Sequence, residues 1–293
     1  MTPQHHLPAD IERTSLSIIT AELETLGLTP PPETAAVVKR VIHTTADFDY
    51  ARNLRFTPGA VAAGVAALRA GTPIVTDTNM ALAGITRPGL AKVGSTALCY
   101  MADPEVAAAA KAAGTTRAVA SMHRAAQEHP GAILAVGNAP TALLTIAEEI
   151  EAGLRPALVI GVPVGFVNVV ESKEILFAAC EAHGVPAIAA MGRKGGSNVA
   201  AAICNALVYS AAEMLDPTAR GWKWAETRKA ALLHNARERP CLLSIQNASG
   251  RSALLPVPWE GHTPSGGVSL YSTVTLLARL RGLSTSQPRS TAI

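Results

Sequence analysis

Between about residue 10 and residue 211 the chain alternates two kinds of segment, and that alternation leaves few folds open. Apolar runs of four or five residues stand at 73–76 (PIVT), 96–100 (TALCY), 132–136 (AILAV), 157–160 (ALVI) and 187–190 (AIAA). Other segments, at 11–26, 33–45 and 59–69 among others, repeat their apolar residues at helical spacing. Their ends carry start and stop chemistry. Pro58 and Asp103-Pro104 open helices, and Gly114, Gly153 and Gly184 close them. Strands this short and continuously apolar are buried on both faces, which calls for a parallel sheet covered by helices on each side. The expectation is an α/β fold: a doubly wound, mostly parallel sheet flanked by helices, forming a single domain over 11–212 after a flexible segment at 1–10.

In such sheets ligands sit beyond the carboxyl ends of the strands. The turns at 77–80, 137–140, 161–166 and 192–198 are therefore expected to frame a site. Residues 213–293 differ in kind. They hold all three tryptophans and ten Lys/Arg against five Asp/Glu, which leaves the body before them slightly acidic. They are expected to form a poorly ordered C-terminal extension, with a short basic helix at 228–239 and a further segment at 270–280.

Composition narrows the function classes. With 48% hydrophobic and 16% charged residues the chain can bury a large core. No apolar run reaches the roughly 18–20 residues of a membrane span, and the N-terminal stretch has no apolar signal region. A soluble, cytoplasmic protein with no membrane partner is expected. The slightly acidic body argues against nucleic acid as a partner. The four cysteines are scattered without metal-ligand spacing, so no metal site is expected. Neither the P-loop nor the dinucleotide fingerprint is present.

The most unusual stretch is 41–50 (VIHTTADFDY). His43 falls in the last turn of a helix, where the macrodipole favours an imidazolium. Asp47, four residues on, is within helical reach to orient the ring or pair with it. A histidine so held can act as a general acid, although the same position suits a capping histidine at a surface turn. Arg40 lies one turn earlier on a similar face and offers a fork to a carboxylate, or else is a solvated helix arginine. Arg117 sits near a helix start, where backbone donors also face anions. Two glycine-bearing loops, one with Asn138 (137–141, GNAPT) and one with Arg193 (192–198, GRKGGSN), could present N–H groups to a phosphate or carboxylate, or serve only as turns.

Taken together, the stretches 41–50, 74–80 (IVTDTNM), 136–143 (VGNAPTAL), 160–167 (IGVPVGFV), 171–173 (ESK) and 192–198 resemble the precorrin-8X methylmutase family, in order and over about residues 11–211. The resemblance implies a homodimeric α/β isomerase of corrin biosynthesis that moves a methyl group from C11 to C12 of a tetrapyrrole-derived ring. It implies His43 as the catalytic residue and Ser15, Arg40 and Arg117 as substrate contacts, with Asn138 and Arg193 added from the two loops. The reaction needs no cofactor. Cobalt, if it takes part, travels inside the substrate, and the 41–50, 74–80 and 192–198 stretches look closer to the members that use cobalt-containing substrate. The rival is a tetrapyrrole carrier on the same fold, which would not need His43. Nothing after residue 213 resembles the family.

Overall fold

The computed structural model describes residues 7–220, 241–246 and 252–257. Residues 1–6, the basic helix expected at 228–239 and the segment expected at 270–280 lie outside the described residues. Two compact units divide at about residue 221.

The first unit opens with α1 (Pro8–Thr25), α2 (Pro32–Thr45) and the single turn α3 (Tyr50–Asn53). Proline stands in the first turn of both α1 and α2, where its missing N–H costs nothing. There follow β1 (Leu54–Phe56), α4 (Ala60–Arg69), β2 (Ile74–Thr76), α5 (Asn79–Gly84), α6 (Arg87–Lys92), β3 (Ala97–Leu98), α7 (Pro104–Ala112) and α8 (Arg117–Glu128). The rest is β4 (Ile133–Val136), α9 (Pro140–Glu151), β5 (Leu158–Gly161), α10 (Val169–Ala182), β6 (Ala187–Ala190) and α11 (Ser197–Ala211). Side-chain oxygens of Thr78, Thr86, Asp103 and Thr116 cap α5, α6, α7 and α8 by accepting from a backbone N–H two or three residues on.

The six strands lie in the order β1-β6-β5-β4-β2-β3. All neighbours run parallel except β1, which pairs antiparallel with β6, Leu54 opposite Ala190. The doubly wound expectation holds, with one added edge strand. After β2 the chain steps outward to β3 and then returns to β4 on the other side, so the winding reverses between β2 and β4. Every residue of β4, β5 and β6 is buried. Alternate strand residues face two cores. Ile74, Ile133, Ile160 and Ile188 point to the face covered by α1, α2, α4 and α11. Leu134, Val159 and Ala187 point to the face covered by α8, α9 and α10. Among the described residues no helix is long and apolar enough to cross a membrane.

Residues 213–220, assigned by sequence to the extension, pack on the body. Met214 is buried, and a 3-10 turn, Pro217–Arg220, sits against α1. In the second unit the described residues form an antiparallel pair, β7 (Cys241–Gln246) with β8 (Ser252–Val257), where the sequence reading placed no element.

Candidate active site

Helix α1 brings a polar pair into an otherwise apolar face. Glu12 and Ser15 share a stripe with the buried Ile19 and Leu23, so both point at α2 and not at solvent. Ser15 meets His43: its Oγ lies 2.8 Å from Nδ1, across 28 residues of sequence. The hydroxyl can donate to a neutral ring or accept from an imidazolium, so it orients the ring in either state. Among the described residues Nε2 makes no hydrogen bond.

Glu12 meets two guanidinium groups. Arg40 Nη2 lies 2.5 Å from Oε1, with the Arg40 side chain only 11% exposed. Arg220 reaches both carboxylate oxygens, and its side chain is 4% exposed. Burial alone would raise the Glu12 carboxyl, but the hydrogen bonds and charges of Arg220 and Arg40 more than offset it and hold it below its ordinary value. Both guanidiniums also lie over the Tyr209 ring, Arg220 at 3.9 Å and Arg40 at 5.1 Å from its centroid. Arg40 was expected to present its fork to a ligand; here Glu12 holds part of it.

The charges that surround His43 differ from those the helix end and Asp47 would supply. Burial, then the Arg40 charge, push its pKa below the ordinary value; Glu12 opposes them and Arg220 adds to them. Asp47 does not help. Helix α2 ends at Thr45, and Ala46 takes a left-handed conformation (φ 53°), so Asp47 is no longer one helical turn from the ring. It pairs instead with Lys194 Nζ at 2.7 Å, which Asp49 also accepts from at 2.5 Å. Those two bonds tie the end of α2 to the 192–198 loop.

The glycine loops are also reread. The Asp77 carboxylate, buried and following β2, accepts from the N–H groups of Gly137, Asn138 and Ala139 at 2.8, 2.8 and 2.9 Å. Burial pushes the Asp77 carboxyl up, against the pull of those three donors. The anion cradle expected for a ligand at the strand ends is thus filled by the chain itself, at the point where the winding reverses. The glycines allow the loops to approach one another. A Cβ on Gly137 would lie 2.6 Å from Ser197 Cα, and one on Gly195 would lie 2.2 Å from the Val162 carbonyl oxygen. Lys173, fully buried in α10, donates to the carbonyls of Gly192 and Lys194 at 2.8 and 2.9 Å and fastens the 192–198 loop from below. Burial pushes its ammonium down to about 8.

The remaining expected residues stand apart. Arg193 is exposed, with its guanidinium 5.5 Å from the ring of Phe166, itself 85% exposed. Arg117, first residue of α8, and Asn138 are exposed, and the starts of α8 and α9 meet where Thr116 Oγ1 lies 3.4 Å from Thr141 Oγ1. Among the described residues no hydrogen bond or ion pair joins Arg117 or Asn138 to the His43 cluster.

A cleft of about 230 Å³ opens between α2, α5 and α11, lined by Arg40, Thr44, Gly84, Asn198, Asn205 and Tyr209. A larger depression of about 380 Å³ lies between the starts of α2 and α4, lined mainly by prolines and apolar side chains. It contains one titratable group, Glu33, whereas the smaller cleft is reached by Arg40, the partner of Glu12; neither is lined by His43 or Ser15. Glu12, Asp77, Lys173 and Arg220 were not singled out from sequence. A carboxylate on the buried stripe of an amphipathic helix was the available sign for Glu12; the other three depend on partners distant in sequence.

The precorrin-8X methylmutase family model matches residues 10–210. The chain belongs to the precorrin-8X methylmutase family. It is 46% identical over 209 residues to the cobalt-precorrin-8 methylmutase of Salmonella typhimurium, covering 69% of this chain and 95% of that one. It is 42% identical over 198 residues to the precorrin-8X methylmutase of Pseudomonas aeruginosa, covering 67% and 93%. Among solved structures, the precorrin-8x methyl mutase of Thermus thermophilus aligns at TM-score 0.62 and 42% identity, over 69% of this chain and 98% of that one. Membership makes the chain an isomerase of the methylmutase class, and the family match contains Ser15, Arg40, His43, Arg117, Asn138 and Arg193. It ends before Arg220.

Proposed function

We propose that the chain isomerises cobalt-precorrin-8 or precorrin-8X, moving the methyl group from C11 to C12 of the ring, with His43 as the acid that assists the shift. The observation that carries this reading is the Ser15–His43 pair, held in a family-matched region beside a cleft with surplus positive charge. One carboxylate, Glu12, faces two guanidiniums, so the cluster keeps one positive charge for the acetate and propionate groups of the substrate.

The lowered pKa of His43 fits an acid that is charged by its substrate. In the free protein the ring is biased toward neutrality. A substrate carboxylate entering the cleft offsets Arg40 and favours the imidazolium. Nδ1–H then donates to Ser15 Oγ, and Nε2–H is left to protonate the conjugated ring system. That lowers the barrier to migration, and the proton returns to His43 afterwards, so product and substrate are isomers. The rearrangement is redox-neutral and calls for no resident cofactor; cobalt, where present, belongs to the substrate ring. Exposed Arg193, Arg117 and Asn138 supply further grips at the strand ends, and Arg40 lines the cleft.

A cleft of 230 Å³ is small beside the roughly 300–1,000 Å³ of ordinary ligand sites, and a corrin-type ring is a large ligand. Leu7, just before α1, and Ile11 and Ile18 on it are exposed apolar side chains at the helix that carries Ser15. Both observations support a homodimer whose second copy completes the site.

The test is incubation with each substrate while the visible spectrum is followed. Turnover is expected, and His43→Ala is expected to lower it by about 10²–10⁴-fold, the range of general acid catalysis. Unchanged turnover in that variant would remove His43 from the chemistry.

A further inference from the structure

The structure assigns Arg220, which lies ten residues beyond the family match, as a positioning residue of the active site. It clamps Glu12 and, through Glu12, holds Arg40 and sets the charge around His43.

Three observations carry this. The Arg220 guanidinium meets both oxygens of Glu12, a bidentate geometry that fixes a carboxylate in orientation as well as place. Arg220 is itself anchored: Nε donates to the Met214 carbonyl at 3.0 Å, and the guanidinium stacks over Tyr209, which also faces Arg40. The segment is held by a second pair, Arg13 with Asp216 at 3.8 Å, and by the buried Met214. Glu12 Oε1 is shared between Arg220 and Arg40, so releasing Arg220 frees Glu12 to rotate and lets Arg40 follow it.

The charged groups around His43 are Glu12 from α1, Arg40 from α2 and Arg220 from the 3-10 turn, with Ser15 on its Nδ1. Loss of Arg220 removes a positive charge and opens the pocket to water. Both effects favour the imidazolium, so they shift His43 in one direction, upward.

The proposal rests on the reading of His43 as the acid, and the test separates the two. Arg220→Gln and Arg220→Lys are made in the full chain. The readouts are kcat/KM on cobalt-precorrin-8 across pH, the His43 ring titration followed by NMR, and the thermal midpoint. In Arg220→Gln, kcat/KM is expected to fall on the order of tenfold, as for other residues that orient an active group. His43 is expected to titrate at higher pH than in the parent, and the alkaline limb of the pH profile, where an essential acid is lost, should move with it. Arg220→Lys keeps the charge but not the fork. Its His43 titration should return toward the parent while kcat/KM stays low, and it folds the comparison back in if Arg220→Gln is too unstable to assay. Parent-like kcat/KM in either variant overturns the proposal. So does a loss of activity that follows the thermal midpoint while the His43 titration stays put. Full activity in His43→Gln would instead sink the acid reading and leave the NMR comparison standing on its own.

Discussion

Asp77→Asn removes one charge and almost no volume, and its consequence can be worked from three hydrogen bonds. Oδ1 accepts from Gly137 N–H, and Oδ2 accepts from both Asn138 and Ala139 N–H. An asparagine with its oxygen at the Oδ2 position keeps two bonds, now without the charge. Its amide nitrogen then faces the Gly137 N–H, and two donors oppose each other in a buried place. Hydrogen bonds to a charged group are worth about 1.5–3 kcal/mol and neutral ones about 0.5–1.5, while a buried unsatisfied donor costs about 1–3. The two weakened bonds and the opposed donors at Gly137 argue for a loss, and relief of the burial cost of the carboxylate offsets part of it, leaving about 2–3 kcal/mol. That is an appreciable part of the roughly 5–15 kcal/mol that holds a domain folded. Urea unfolding is the assay: the midpoint should fall with little change in slope, and amide exchange at residues 137–139 should quicken. A loss below about 1 kcal/mol would show that Asp77 does not hold the turn, and that the three N–H groups are available to a ligand after all.

Two further outcomes follow from the same geometry. Gly195→Ala would place a Cβ 2.2 Å from the Val162 carbonyl oxygen and 2.6 Å from that of Pro163, so backbone must shift; a loss of about 1–3 kcal/mol in a thermal or urea melt is expected, and parent-like stability would show that the loop absorbs the methyl freely. His43 has a folded-state pKa below its ordinary value of 6.5, so the unfolded chain binds more protons in the window just below that value, and stability rises with pH there and is lost as pH falls. Thermal midpoints of the parent and His43→Gln should therefore diverge as pH drops below 6.5, the parent losing more; parallel curves would contradict the burial of the ring.

The layered α/β fold was legible because its signals are local. Runs such as 132–136 and 187–190 are apolar on every residue, and Asp103-Pro104 marks a helix start whatever the rest of the chain does. Strand β1 escaped because Leu54-Arg55-Phe56 is three residues long, and its antiparallel direction is decided by β6, more than a hundred residues away. At the site, His43, Ser15 and Arg40 could be named in advance, and they do converge. The error over Asp47 came from extending helical geometry past Thr45, where one left-handed residue redirects the chain. The N–H groups at 137–139 could be read as facing an anionic ligand or as serving only a turn. What no local pattern discloses is that their acceptor is Asp77, sixty residues earlier, brought there by the parallel pairing of β2 with β4.

The lengths of the two edge strands have a consequence for how copies of the chain meet one another. An open sheet edge is a row of unpaired N–H and C=O groups that can recruit a strand from another molecule. Here the edges are β1, three residues with the charged Arg55 exposed at its centre, and β3, only two residues. Stacked cross-β assemblies draw on segments of about six or seven residues. Neither edge of this six-stranded sheet exceeds half that length, so this sheet gives strand-by-strand aggregation little template to grow from.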